Sequence, residues 1–439
     1  METLLTDVTV LGGGPGGCAA AILLAQAGLK VVLLEKSRFP RFRIGESLLP
    51  NSRPILRRLG VWDKLDDAGF LRKYGAEFTV SDGSQRVHNR FDLGMLPDCG
   101  YAYQVERSKF DQLLLDHAME CGCEVLQETA AHAVDDLGDA WETRAESMAG
   151  SRTLRIRSRW IIDATGRESF LAKRFQIERE PLPYPKRLAI YAHYEGIALQ
   201  PEERSGNIII TRLSDGWFWN IPLGEHLTSL GVVASLERYR TANVSPEEFF
   251  DSELKRSAYL TDVTRAARRA GPVRVTTDYS FMYRNFAGPR YLLVGDAAAF
   301  VDPVFSSGVY LAMDSAGRAV DLLLQAEGQS RALTSVETTQ YTSKLKKSIG
   351  VMRKLIEMFY DDDGFAVFLH PTDRLKLASA VNAVVAGNTD LPFGVWWRFQ
   401  LFLLICRLNR RFHFIRTKAL EKPAGRPPEK AESNIMKRT

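Results

Sequence analysis

Apolar and polar residues follow three rhythms along this chain. Near the amino terminus Val8, Val10 and Leu11 form a short apolar run that enters Gly12-Gly13-Gly14-Pro15-Gly16-Gly17, and residues 18–27 carry small and aliphatic side chains at helical spacing. Strand, tight turn and helix are expected in that order. A second strand, residues 30–34, ends in Glu35. Two later apolar runs, 160–163 and 290–294, close in Asp163-Ala164-Thr165-Gly166 and Gly295-Asp296-Ala297-Ala298, and a helical pattern starts at Gly308. Between them residues 189–194, 207–212, 216–221 and 229–234 read as short strands separated by turn residues. From about Ala332 the spacing is helical, and Met352, Leu355, Ile356, Phe359 and Tyr360 read as the core face of one helix.

Residues 395–408 are the most apolar late stretch, but Arg398 interrupts them and they are shorter than the roughly 20 residues that cross a bilayer. An amphipathic helix is expected there, and no transmembrane segment. The stretch after Lys422, rich in Pro, Lys, Glu and Ser, is expected to be disordered.

The composition narrows the class. With 439 residues and 45% hydrophobic content the chain can build a large core, and a net charge of +5 with scattered basic residues leaves no nucleic-acid footprint. Cys18, Cys99, Cys121, Cys123 and Cys406 form no CxxC or Cys/His ligand pattern, so neither a disulfide framework nor a metal site is expected. The seven histidines, His88, His117 and His193 among them, show no metal or triad spacing. Met1 to Asp7 lacks a basic signal-peptide region, and a cytoplasmic location is expected.

The glycine turn carries the first chemistry. Gly12, Gly14 and Gly17 occupy the G-x-G-x-x-G positions, where glycines permit the turn, the close approach of a pyrophosphate and the packing of helix on strand. Pro15 opens the helix, whose N-terminus then faces phosphate. Glu35 stands eighteen positions after Gly17, near the spacing of a carboxylate that accepts from ribose, with Lys36 beside it as a further cofactor candidate.

These residues alone do not separate NAD from FAD. The Gly295-Asp296-Ala297 string, however, resembles the G-D-A motif of glutathione-reductase-type flavoproteins, and the resemblance implies that Asp296 binds the ribityl chain of FAD. The D-A-T-G string at Asp163 to Gly166 is similar to a turn of the same superfamily. The fold class implied is α/β: a glutathione-reductase-type FAD-binding fold with an inserted, substrate-covering β-sheet and a C-terminal helical region. The FAD-binding part would comprise residues 1–72, 104–187 and 283–331. The inserted sheet would comprise 73–103 and 188–282, followed by helices over 332–422 and a tail over 423–439. No second G-x-G-x-x-G is found, so reduced flavin would come from a partner reductase.

Over residues 9 to about 316 the chain resembles the flavin-dependent halogenases. The resemblance rests on the glycine turn, on Phe39 to Pro50, on Arg72-Lys73-Tyr74-Gly75-Ala76, on Trp217 to Pro222 (W-x-W-x-I-P), and on Phe300 to Gly308 (F-x-x-P-x-x-S-x-G). It implies an enzyme that uses FADH2, O2 and chloride or bromide. Trp217, Trp219 and Pro222 would wall the flavin from the organic substrate, so that hypohalous acid is the product. Ser307 and Gly308 would offer backbone amides to halide, and Gly308 would also contact the cofactor. Lys73 would be the catalytic residue, orienting hypohalous acid by a hydrogen bond or reacting to a haloamine. Glu46 and Ser47 resemble the family's G-E-S turn near the flavin and adenosine region or are a plain polar turn, Arg43 before them would pair with phosphate, and Arg107 with Asp111 resembles a stretch that supports FAD in related monooxygenases.

One departure bears on substrate. Tryptophan-type members carry a glutamate two residues before the halide-binding pair, where this chain has Phe305. The implied substrate is therefore a phenolic or pyrrolic ring, free or tethered to an acyl carrier protein, rather than free tryptophan. Arg407, Arg410, Arg411, Arg416 and Lys418 are either a docking surface for such an acidic carrier or a solvated helix face. The rival reading is a flavin monooxygenase or dehydrogenase of the same fold.

Overall fold

Central to the first sheet is the strand Glu2–Leu11, longer than the apolar run that announced it. It pairs in parallel with Val31–Leu34 on one side and Thr153–Asp163 on the other; Glu124–Leu126 and Tyr291–Leu293 extend the parallel order outward. Such strands are covered on both faces, and Val8, Val10, Leu33, Ile161 and Ile162 are accordingly fully buried. The helices Pro15–Gln26 and Arg107–Glu120 pack against this sheet, and Gly308–Glu327 packs on Pro15–Gln26. The computed structural model describes residues 2–95, 100–148, 150, 152–277 and 280–416; Cys99, Lys418 and the expected tail lie outside them.

A second sheet runs in the order Arg268–Arg269, Arg187–Glu195, Thr228–Ser235, Trp217–Pro222, Ile208–Arg212, Gly75–Val80, Arg86–Arg90. Its members come from two stretches of chain, joined where Ile208–Arg212 pairs in parallel with Gly75–Val80. The period of two in the strands divides its faces. Tyr191, Ile210, Trp217, Trp219 and Val233 face the main core, while Ile190, Phe218, Leu230 and Val232 pack under Phe249, Phe250 and Leu260. Those last residues lie on the helices Pro246–Lys255 and Ala258–Val263, which the strand reading of the sequence did not anticipate.

The C-terminal region is helical: Ser335–Tyr360, Asp362–Leu369, Leu377–Val385 and Phe393–Phe412. Met352, Leu355, Ile356 and Phe359 are core. No described helix is long and apolar enough to cross a membrane.

Candidate active site

At the nucleotide end, two glycines are obligatory. A Cβ on Gly12, whose φ is +100°, would lie 2.4 Å from the Ala164 carbonyl oxygen, and one on Gly17 would lie 1.8 Å from that of Gly12. The Asp163 turn thus presses on the glycine turn, itself held by Asp163 accepting from Thr165 and Leu171 amides. At Gly14 a Cβ would meet nothing nearer than Arg41 Nη2 at 3.9 Å, so this backbone is open to a phosphate. Gly13 N–H donates to Glu35 Oε2 at 2.8 Å, so one carboxylate oxygen of Glu35 holds the turn itself. Lys36 is half-exposed and pairs with Glu168.

Arg41 is the arginine nearest Gly14, and Arg43 faces the same charged cluster of Arg41, Glu35, Arg107 and Asp111. Arg41 is nearly buried, donates to Asp111 Oδ2 at 2.9 Å and lies 3.7 Å from Glu35, whereas Arg43 is exposed. Arg107 grips Asp111 through two nitrogens, at 2.8 and 2.9 Å, and donates to the Ile44 carbonyl at 2.6 Å. Its role here is to pin the 39–49 loop. In the same loop Glu46 is buried and pairs with His193 at 2.7 Å.

Asp296 follows Gly295, whose φ of +56° and tight approach to Ala312 again require glycine. No hydrogen-bond donor serves the Asp296 carboxylate among the described residues, and burial pushes it up to about 7 against the pull of Arg167 and Arg107. Such a carboxylate is an acceptor waiting for hydroxyls. Ser307 is the N-cap residue of Gly308–Glu327, is 1% exposed and does not spend its hydroxyl on the cap. The first helical bond is Leu311 N–H to Ser307 O, which leaves the amides of the first turn without helical partners.

Lys73 ends the strand Leu71–Lys73, which pairs with Ala102–Gln104, and its side chain is 1% exposed. Nζ donates to Ser47 Oγ at 2.8 Å and to the Leu48 carbonyl at 3.0 Å, and lies 5.3 Å from the centre of the Phe91 ring. No carboxylate offsets the burial, which lowers the lysine to about 7. Ser47, a cofactor candidate in the sequence, accepts from the lysine.

Trp217 and Trp219 stand side by side on one strand face, ring centres 5.8 Å apart. Trp217 Nε1 donates to Tyr360 Oη at 2.7 Å, and that hydroxyl donates to Asp302 Oδ2 at 2.7 Å. Asp302 Oδ1 accepts from Val304 N–H at 3.1 Å in the turn leading to Ser307. The wall, the C-terminal helices and the Ser307 turn are thus one hydrogen-bonded unit. Trp219 Nε1 donates to Ser229 at 3.1 Å, and Pro222 ends the strand, buried. Tyr360 was read as core; its hydroxyl gave no sequence signal.

An FAD-binding-domain family model matches residues 5–341. The chain is 32% identical over 376 residues to the 1H-pyrrole-2-carbonyl-[peptidyl-carrier protein] chlorinase of Pseudomonas fluorescens, covering 81% of this chain and 83% of that one. It is 35% identical over 319 residues to a tryptophan 2-halogenase of Chondromyces crocatus, covering 71% of this chain and 59% of that one. Among solved structures, a myxobacterial chondrochloren halogenase superposes with a TM-score of 0.74 at 33% identity, over 82% of this chain and 83% of that one. This chain belongs to the flavin-dependent halogenases. A Cytophaga hutchinsonii flavoprotein/dehydrogenase superposes with this halogenase at a TM-score of 0.83 and 26% identity, over 92% of this chain and 100% of that one.

FAD and halide are the halogenase's cofactor and co-substrate, and the residues present fit them. The open backbone at Gly14 and the donor-free Asp296 carboxylate suit the two ends of FAD. Phe305 packs against Phe78 at 5.4 Å and Phe359 at 6.0 Å between ring centres. That position is a dry aromatic cluster. Among the described residues no group of three or more His, Cys, Asp or Glu side chains is placed to hold a metal.

Proposed function

We propose that this halogenase makes hypohalous acid and passes the halogen through Lys73 to an electron-rich ring, phenolic or pyrrolic. The observation that carries the reading is the state of Lys73: sealed from solvent, unpaired with any acid and lowered to about 7. At neutral pH much of it is free amine. With its two N–H groups donated to Ser47 and Leu48, the amine lone pair is left to attack. The N–X bond forms as the X–O bond breaks, and one amine proton leaves with the hydroxide as water. When the ring takes the halogen, the nitrogen recovers its electron pair and accepts the ring proton, so no second acid is needed where Phe305 stands.

Reduced FAD, held by the Gly12 to Gly17 turn, Arg41 and Asp296 and delivered by a partner reductase, would supply the electrons with which O2 oxidises halide. Ser307 and Gly308 amides hold the halide at the start of their helix. The Trp217 and Trp219 wall keeps the ring from the oxidant's source, so transfer must pass the lysine. The chlorinase relative's named substrate, a pyrrole-2-carbonyl group on a carrier protein, supports a ring presented as a carrier thioester here.

The test is incubation with FAD, a flavin reductase, NADH, bromide and a panel of phenols, pyrroles and pyrrole-2-carbonyl thioesters, read by mass. Halogen addition that disappears in Lys73→Ala, with FAD binding retained, supports the reading. Oxygen addition, or full yield in Lys73→Ala, defeats it.

A further inference from the structure

The helix Phe393–Phe412 carries large apolar residues on two opposite faces. Val395, Phe399, Phe402, Leu403 and Cys406 are buried against the protein. On the opposite side Phe393, Trp396, Leu404 and Leu408 are between 41% and 77% exposed. At 100° per residue Arg407 and Arg411 fall within the same outward stripe. A scattered exposed leucine needs no explanation, but a stripe of this kind along one helix does.

Charge indicates what covers it. The helix contains no Asp or Glu. Of its four arginines, Arg398 donates to the Leu375 and Gly394 carbonyls and Arg410 pairs with Asp361 at 2.8 Å, so these two serve the fold. Arg407 and Arg411 are exposed, and among the described residues neither pairs with a carboxylate. The stripe therefore fits a partner that offers both carboxylates and apolar side chains.

Its position supplies the second argument. Val395, on the buried side of this helix, packs with Ala380 and Ala383 of Leu377–Val385. Ala383 in turn lies against the turn that holds Gly94 and Phe91, and the Phe91 ring is beside Lys73. Two helix diameters, roughly 20 Å, therefore separate the Phe393 and Trp396 end of the stripe from the lysine, a span suited to a phosphopantetheine arm.

We propose that the outward face of Phe393–Phe412 is the docking surface for an acidic acyl carrier protein that presents its thioester-bound ring to Lys73. This rests on the carrier-tethered reading of the substrate given above. Carboxylates of the carrier meet Arg407 and Arg411, and its apolar residues cover Leu404 and Leu408. The Phe393 and Trp396 end seats the rest of the footprint.

The experiment compares pyrrole-2-carbonyl on a peptidyl carrier protein with the same acyl group on pantetheine, using the FAD-loaded enzyme and a flavin reductase. Arg407→Glu/Arg411→Glu should raise KM for the carrier thioester about tenfold or more, with kcat and the pantetheine thioester unchanged and the carrier KM rising with salt in the wild type. Leu404→Ser/Leu408→Ser should act in the same direction. Equal loss on both thioesters, or no loss on either, overturns the docking face. Wild-type turnover of free phenols or pyrroles but of neither thioester instead sinks the tethered-substrate reading. Binding to phosphatidylglycerol vesicles that the charge reversal abolishes, or a dimer in light scattering that the serine variant dissociates, assigns the face to a membrane or a second copy and also overturns the proposal.

Discussion

Two side chains carry the argument at the scale of single residues. Lys73 is charged below about pH 7 and neutral above it, because burial penalises the ammonium. If the amine is the acceptor of halogen, the transfer rate falls as pH drops through 7 and levels off above it. A pH-rate profile measured with preformed hypobromous acid checks this, and a rate that climbs toward low pH would contradict the amine. The second is Arg41. Removing its charge from beside Gly14 in Arg41→Ala should weaken FAD binding about tenfold or more, the magnitude of a charge-assisted hydrogen bond. Arg43→Ala, at the surface, should change FAD affinity less than about twofold, as titration of flavin fluorescence would report.

Between residue and fold stands the tryptophan strand, which keeps its rings in place by clearance on the neighbouring strand. Gly231 lies opposite Trp219 in the register, and a Cβ there would lie 2.2 Å from the indole ring. Gly231→Ala must therefore push Trp219 out of the wall. The expected cost is about 1–3 kcal/mol of stability, as for other overpacked cores. The functional consequence is leakage: more peroxide and less halogenated product per NADH consumed, with FAD affinity unchanged. Product ratios that match the wild type would show that the ring has no part in separating the two chambers. The helix Gly308–Glu327 shows the same economy. Its packing on Pro15–Gln26 at Gly16 and Ala312 brings two helix N-termini close together, an arrangement whose dipoles favour anions.

For the molecule as a whole, an unpaired buried lysine is a stability cost accepted for chemistry. Its proton is bound more tightly in the unfolded chain than in the fold, so stability rises with pH between about 7 and 10.5. At pH 7.5 the cost is about 4 kcal/mol at 1.36 kcal/mol for each pH unit of difference. Lys73→Met, which fits the same slot without the charge, should raise the melting temperature while abolishing halogenation, and the gap between the two proteins should narrow above pH 9. Scanning fluorimetry at pH 6, 7.5 and 9 tests this; an unaltered or lower melting temperature would mean that the lysine is paired.

What could be read from the sequence was what chain-local geometry demands. A strand, six residues that include five glycines and a helix must form a turn with left-handed and closely approached positions, whatever surrounds them, and Gly12 and Gly17 meet that demand. The alternating strands likewise declared which tryptophans share a face. The state of Lys73 was not legible, because its low pKa comes from burial, and the residues that bury it are brought together only by folding. Nor was the pairing of Arg41 with Asp111, or the chain from Trp217 through Tyr360 to Asp302, which joins residues up to 143 positions apart. Local backbone rules act between neighbours in sequence, whereas burial, and with it electrostatics, is set by neighbours in space, and only the tertiary structure decided who those are.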